Sequence, residues 1–359
     1  MLTQQILKFF GMPEVSDLHI HEGAPVWYRD AGTVKKGETE RVTRQHILEF
    51  LDPIKEQTGI HPERLDEILA KRGDADFSAR YEGYGIRGNI FRSGNRELSV
   101  VLRRLNDKIP AMADMDLPAK VDELIGQSKG IFLVTGPTGS GKSTSLASIL
   151  DHLNKTTQRH IITIEDPVEY VLHDEFCRID QRQIGRDATT FEDALRGALR
   201  QDPDILLIGE LRDRVTVKTA LDAANTGHLV FGTLHTNNAR QSIERLTSFF
   251  EASEKEWAQQ VISSVMLGVM SQVLVQKAQG RGRVLCAELM VNTPGVAQCI
   301  RDGKTNQISN IMETGRGDGQ LLLNYDMVTK VNAGLITAED ALYATYDPVR
   351  LQKELADGY

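Results

Sequence analysis

The run Gly136-Pro137-Thr138-Gly139-Ser140-Gly141-Lys142-Ser143 constrains this chain more than any other stretch. Its spacing is a glycine, four residues, then Gly-Lys-Ser. The apolar run Ile131-Phe132-Leu133-Val134 precedes it and reads as a buried strand. Behind it Leu146, Ile149, Leu150 and Leu153 fall on one helical face. Strand, glycine-rich turn and helix, in that order, make a cradle for phosphate. The glycines let backbone N–H groups converge on phosphate oxygens, and the helix N-terminus adds partial positive charge. Gly136, Pro137, Thr138, Gly139, Ser140 and Gly141 form the loop, and Thr144 completes the run in contact with nucleotide. Lys142 reaches the β- and γ-phosphates, and the Ser143 hydroxyl ligates Mg²⁺. A glycine-rich turn that binds nothing is the competing reading. The strand and helix on its flanks argue against it, so a nucleoside triphosphate with Mg²⁺ is the expected ligand.

That motif sits in a chain of 359 residues, long enough for two domains. The formal net charge of −8 argues against a surface coated in nucleic acid, and no nucleic-acid partner is expected. Cys177, Cys286 and Cys299 are far apart, so neither a zinc site nor a disulfide framework is expected, and a reducing compartment fits. The opening residues show no signal peptide. The richest apolar window, Val261 to Val275, is interrupted by Ser263, Ser264, Gly268, Ser271 and Gln272, and is too short and polar to span a bilayer. Any tie to a membrane is expected to run through partner proteins.

Beyond the loop, strand and helix patterns alternate, which implies an α/β domain with a parallel sheet. His160 to Ile164 reads as a strand that ends in Glu165-Asp166-Pro167. Acids at such a strand end lie where ligands bind in open α/β sheets. Glu165 or Asp166 is placed to polarise a water or to hold Mg²⁺ through one, and Glu165 is the preferred base. A helix follows from Phe191 to Arg200. Ile205-Leu206-Leu207-Ile208-Gly209-Glu210 then reads as a Walker B strand with Glu210 at its end, supporting metal and water. Thr216 to Ala224 reads as a helix of small residues. Leu229 to Thr233 reads as a third strand, with His235 beyond its end as a γ-phosphate sensor and His228 before it as the weaker candidate.

The first hundred residues differ. Short alternating runs at 18–21, 26–29, 86–91 and 98–103 read as strands, with helices over 44–54 and 63–71, giving an α+β module. His19 and His21 share a strand face, and ordinary strand residues are favoured there over a metal pair. Glycines and arginines crowd 83–96, either as a solvated hairpin or to bring an arginine to a phosphate. The expected domains are 1–105, a linker over 106–117, a nucleotide core over 118–275, and a C-terminal strand and helical region over 276–359. Within that core, Trp257 to Val275 reads as one long helix.

Four ordered motifs resemble the Walker A, Asp, Walker B and His boxes of the secretion ATPases of type II secretion and type IV pili. They are Gly136 to Ser143, Thr163 to Tyr170, Leu199 to Asp213, and Thr226 to Asn237. Ser16-Asp17-Leu18-His19-Ile20 resembles the opening of that family's N-terminal domain. The resemblance implies a PAS-like N-terminal domain, a RecA-like P-loop ATPase domain and C-terminal helices. It also implies a homohexamer at the cytoplasmic face of the inner membrane, bound there through a platform protein. Arg87 and Arg103 match, by position, the arginines that approach the phosphates, with Arg104 as the rival of Arg103. Length and tail look most like the PilT-type retraction ATPases. However, Gly295 to Asp302 departs from that subgroup's Ala-Ile-Arg-Asn-Leu-Ile-Arg-Glu, and type IVB secretion ATPases have a similar build.

Overall fold

The computed structural model describes residues 1–359 except 1, 13, 31, 95, 96, 106, 107, 281, 358 and 359. Arg96 of the glycine–arginine run, Arg281, and the first linker positions Asn106 and Asp107 lie outside the described residues. The chain divides into two units, residues 1–108 with 167–171, and residues 109–166 with 172–359.

The first unit is built on an antiparallel sheet of β1 (Val15–His21), β2 (Trp27–Asp30), β3 (Thr33–Lys36), β4 (Asp74–Tyr81), β5 (Tyr84–Ser93) and β6 (Glu97–Arg104). Their order across the sheet is β3-β2-β1-β6-β5-β4. Helices Leu2–Phe10, Arg44–Leu51 and Leu65–Arg72 bring apolar faces to its core. In the first of these, Leu2, Ile6, Phe9 and Phe10 are all buried, the spacing of one helical stripe. Strands β3 and β4 and this first helix extend beyond the sequence expectations. β3 is exposed along its whole length, so no apolar alternation marks it.

The second unit contains a seven-stranded sheet. Its strands are β7 (Gly130–Thr135), β8 (His160–Glu165), β9 (Arg178–Gln183), β10 (Ile205–Ile208), β11 (Leu229–Leu234), β12 (Met266–Gln276) and β13 (Arg283–Val291). Across the sheet they run β13-β12-β7-β11-β10-β8-β9, all parallel except the β12–β13 pair. Alternate residues feed two cores. Ile131 and Leu133 pack on one face, and Phe132 and Val134 pack on the other with the helix Lys142–Thr156. Burial on both faces is why these strands are continuous apolar runs.

The same double burial accounts for a correction. The helix expected over 257–275 stops at Val265, and Met266–Gln276 is β12, paired to β7 on one side and β13 on the other. A strand buried on both faces loses its period-two signature and passes for helix. Asn292 marks the junction, its Nδ2 donating to the carbonyls of Ser263 at 3.0 Å and Met266 at 2.9 Å. Residues 109–117 lie against the second unit: Ile109, Met112, Met115 and Leu117 pack on its core, and Ser148 Oγ donates to the Pro110 carbonyl. C-terminal helices Leu323–Asn332, Ala338–Ala344 and Pro348–Ala356 form a small core of their own with Val275 and Cys286.

Candidate active site

Parallel strands put their C-terminal ends on one edge, so the order β7-β11-β10-β8 arranges the motifs there in space. The loop 136–143 leaves β7, His235 follows β11, Glu210 follows β10, and Glu165 closes β8. Neighbouring strands lie about 4.8 Å apart, so Glu210 is two strands from the loop and Glu165 three. His228 sits at the other end of β11, its Nδ1 2.9 Å from the Ala223 carbonyl, away from this edge.

The loop turns through Gly136, Gly139 and Gly141, with φ of 144°, 80° and 89°. L side chains rarely adopt these values. The helix begins immediately at Lys142. Pro137, Thr138, Gly139 and Ser143 are exposed, and Ser140 is buried. Lys142 Nζ donates to the carbonyls of Gly136 at 2.8 Å and Pro137 at 3.1 Å. The ammonium is therefore held over the loop itself. Behind the loop stands Gln272 of β12, whose Nε2 donates to the Ser140 carbonyl at 2.7 Å.

Glu210 is held by its neighbours on the edge. The Gly209 amide donates to the Ile164 carbonyl at 2.8 Å, and Thr233 Oγ1 donates to the Gly209 carbonyl at 2.5 Å. A Cβ on Gly209 would lie 3.1 Å from the Ile164 carbonyl oxygen, so the close approach of β10 to β8 favours glycine. Arg212 Nη2 donates to Glu210 Oε2 at 2.7 Å, and His235 Nε2 lies 3.3 Å from the same oxygen. Burial pushes the Glu210 carboxyl up, but Arg212 and His235 outweigh it and hold it below the usual carboxylate range. The residue is therefore an anion at neutral pH. Glu165 Oε1 accepts from Thr163 Oγ1 at 2.6 Å and Gln181 Nε2 at 3.2 Å, which orients its carboxylate at the strand end.

These donors suit a hard cation. A serine hydroxyl at a helix start and strand-end carboxylates on the same edge are oxygen ligands of the kind Mg²⁺ takes, alongside phosphate and water. Among the described residues, no group of three or more His, Cys, Asp or Glu gathers as a metal cage.

Arg87 and Arg103 belong to the first unit. They stand directly opposite each other in the β5–β6 pairing. Arg103 Nε donates to Asp17 Oδ1 at 2.8 Å. Its rival Arg104 is paired with buried Ile86, and its Nη1 donates to the backbone carbonyls of Phe10 and Met12. Alternation along β6 thus puts Arg103, and not Arg104, on the face that Arg87 shares. His19 and His21 also share a face of β1, and His21 Nε2 is 3.1 Å from Ser93 Oγ.

Gln272 and Gln181 support the site from outside the four motifs, whereas Thr233 and Arg212 do so from within the His and Walker B boxes. Of these, Gln272 left a trace in the sequence, as a polar residue inside an otherwise apolar window.

Residues 95–316 match the family of type II/IV secretion system proteins. The chain is 38% identical over 338 residues to the type IV pilus retraction ATPase PilT of Pseudomonas aeruginosa, covering 94% of this chain and 96% of the relative. It is 34% identical over 347 residues to the type IV pilus ATPase PilU of the same organism, covering 95% and 88%. Among solved structures, the pilus retraction motor PilT with bound ADP superposes with a TM-score of 0.87 at 39% identity, covering 98% of this chain and 99% of that one. The ATPase DotB of Legionella pneumophila superposes with a TM-score of 0.76 at 27% identity, covering 94% and 93%. A P-loop ATPase fold with its nucleotide motifs on one sheet edge is the class that the architecture defines. Within that class, the chain belongs to the type II/IV secretion ATPase family.

Proposed function

We propose that this ATPase is a hexameric motor that retracts a type IV pilus, driven by hydrolysis of Mg·ATP. The observation that carries the reading is the convergence of the loop 136–143, His235, Glu210 and Glu165 on one edge of the sheet. Similarity to a pilus retraction motor along nearly the whole chain accompanies it.

In this reading the loop amides and Lys142 bind the phosphates. Mg²⁺, when bound, neutralises charge on the phosphate oxygens and is held by Ser143. Glu165 accepts the proton of the attacking water. Glu210, anionic and fixed between Arg212 and His235, orders the polar groups around the γ-phosphate. His235 reports whether that phosphate is present, because it shares the Glu210 carboxylate and follows the strand that lies beside the loop strand. Arg87 and Arg103 bring positive charge to the phosphates from an N-terminal unit in the ring. Among the described residues no helix is long and apolar enough to cross a membrane. In this reading the motor works at the cytoplasmic face of the inner membrane, bound there through a platform protein.

The test is removal of the gene from its native bacterium and complementation with wild type or Lys142→Ala. Loss of twitching with pili retained or increased, restored by wild type alone, is the expected result. Loss of pili, or loss of protein secretion with twitching intact, would move the protein to the assembly or secretion branch. The likeness to DotB keeps that second reading in view.

A further inference from the structure

The structure assigns Gln272 as a positioning residue that sets the conformation of the phosphate loop from the neighbouring strand. The inference rests on reading 136–143 as the nucleotide loop and adds a residue that none of the four motifs contains. Gln272 is 1% exposed and lies on β12, one residue past Ser271, which pairs with Thr135 at the end of β7. Thr135 Oγ1 and Ser271 Oγ are 2.8 Å apart, so the two strands are pinned together where the loop begins.

From that anchor β12 forms the floor of the loop. A Cβ at Gly136 would lie 2.3 Å from the Gln272 carbonyl oxygen. A Cβ at Gly141 would lie 3.3 Å from Gln272 Nε2 and 3.4 Å from Leu274 Cδ1. The first and last glycines of the loop thus both rest against Gln272 of β12, Gly141 against Leu274 as well. The bond that matters is Gln272 Nε2 to the Ser140 carbonyl, 2.7 Å and buried. In a trans peptide the carbonyl of Ser140 and the N–H of Gly141 point in opposite directions. Holding the carbonyl toward β12 therefore turns the Gly141 N–H away from β12, out of the floor and toward the ligand side. A loop whose amides must all face phosphate needs such a restraint before ligand arrives, and preorganisation of this kind raises affinity.

Gln272 also has no second task that would explain it. Its Oε1 and the Ser140 Oγ are both buried with no hydrogen-bond partner among the described residues. A buried amide kept for its one donor bond, with its acceptor unused, is costly unless that bond does something for the fold or the site.

The experiment measures ADP affinity, with Mg²⁺ present, for the full chain by titration calorimetry at pH 8 and pH 6. The proteins are wild type, Gln272→Met, Gln272→Glu and Lys142→Ala. Methionine keeps the volume and removes the donor. Affinity about tenfold weaker than wild type at both pH values is expected. Burial pushes a glutamate at this position toward upward titration. At pH 8 it opposes the Ser140 carbonyl with a carboxylate and binds weakly. At pH 6 its protonated form donates to that carbonyl, and affinity rises past Gln272→Met toward wild type. Lys142 of the loop and Glu288, opposite Ser271 on β13, are charged groups of the packed elements. The wild type and both Gln272 variants carry them, so their titration cancels in the comparison. A rise only to the Gln272→Met level would mean charge repulsion without positioning and would overturn the inference. So would wild-type affinity in Gln272→Met. If Gln272→Met does not fold, the two-pH comparison of Gln272→Glu with wild type decides. Lys142→Ala separates the two levels: undiminished ADP binding there removes the loop reading itself, whereas lost binding there with intact Gln272 variants removes only the role of Gln272.

Discussion

His235 Nε2 and Arg212 Nη2 converge on a single oxygen, Oε2 of Glu210, at 3.3 Å and 2.7 Å. One partner lies just beyond the strand next to the loop strand, and the other follows Glu210 in the chain. A carboxylate held this way depends on both, and each can be removed by itself.

Replacing Glu210 with Gln should leave ADP binding near wild type and lower ATP turnover by about a hundredfold or more, the scale of losing one preorganised polar group. A steady-state phosphate-release assay beside a binding titration checks it. Loss of binding as well would place Glu210 directly on the metal.

The same residue has a pH signature. Its folded pKa is lowered below the ordinary carboxylate value, so its stabilising contribution is fully present above that ordinary value and is lost as pH falls through the folded one. Urea midpoints of wild type and Glu210→Gln should therefore differ most at neutral pH and converge in acid. Equal separation of the midpoints at every pH would show that the carboxylate contributes no such linkage.

Asp17 is 5% exposed and accepts from Arg103, with Arg29 also near it at 3.7 Å. Burial raises its carboxyl, while Ser16, Arg103 and Arg29 prevail and lower it. Asp17→Asn should cost about 1–3 kcal/mol of first-unit stability, the scale of breaking a buried charged hydrogen bond. Arg87→Ala leaves that bond in place, so it should spare stability while lowering turnover in concentrated, assembled protein. Denaturation and concentration-dependent ATPase assays separate the two. Silence of Arg87→Ala in turnover would take the first unit out of the reaction.

Glu288 on β13 is fully buried, and burial raises its carboxyl. Its oxygens accept from the Ala239 amide at 2.8 Å and the Tyr346 hydroxyl at 2.5 Å, joining the helix after His235 to the C-terminal region. A raised folded pKa means its stabilising contribution is present in acid and lost as pH rises through that value. Glu288→Gln should therefore be neutral or stabilising at pH 8, whereas Glu288→Ala, which strands the amide and the hydroxyl, should cost about 2–5 kcal/mol. Thermal melts of both variants at pH 6 and pH 8 test the sign.

What the sequence determined by itself is local and periodic. The loop, its strand and its helix are contiguous, so their residues alone specify phosphate binding. Glu165, Glu210 and His235 were legible because each follows an apolar run in a parallel-sheet pattern, and parallel strands end on one edge whatever their order. The tertiary structure alone decided that order, and with it that β11 and His235 lie between the loop and Glu210. It also decided that Met266–Gln276 is a strand, because burial on both faces erases the alternation by which strands are read. The support of the loop by Gln272 spans 132 positions of sequence. No spacing rule reaches that far: it exists because β12 returns beside β7, and pairing of distant strands is a property of the folded sheet.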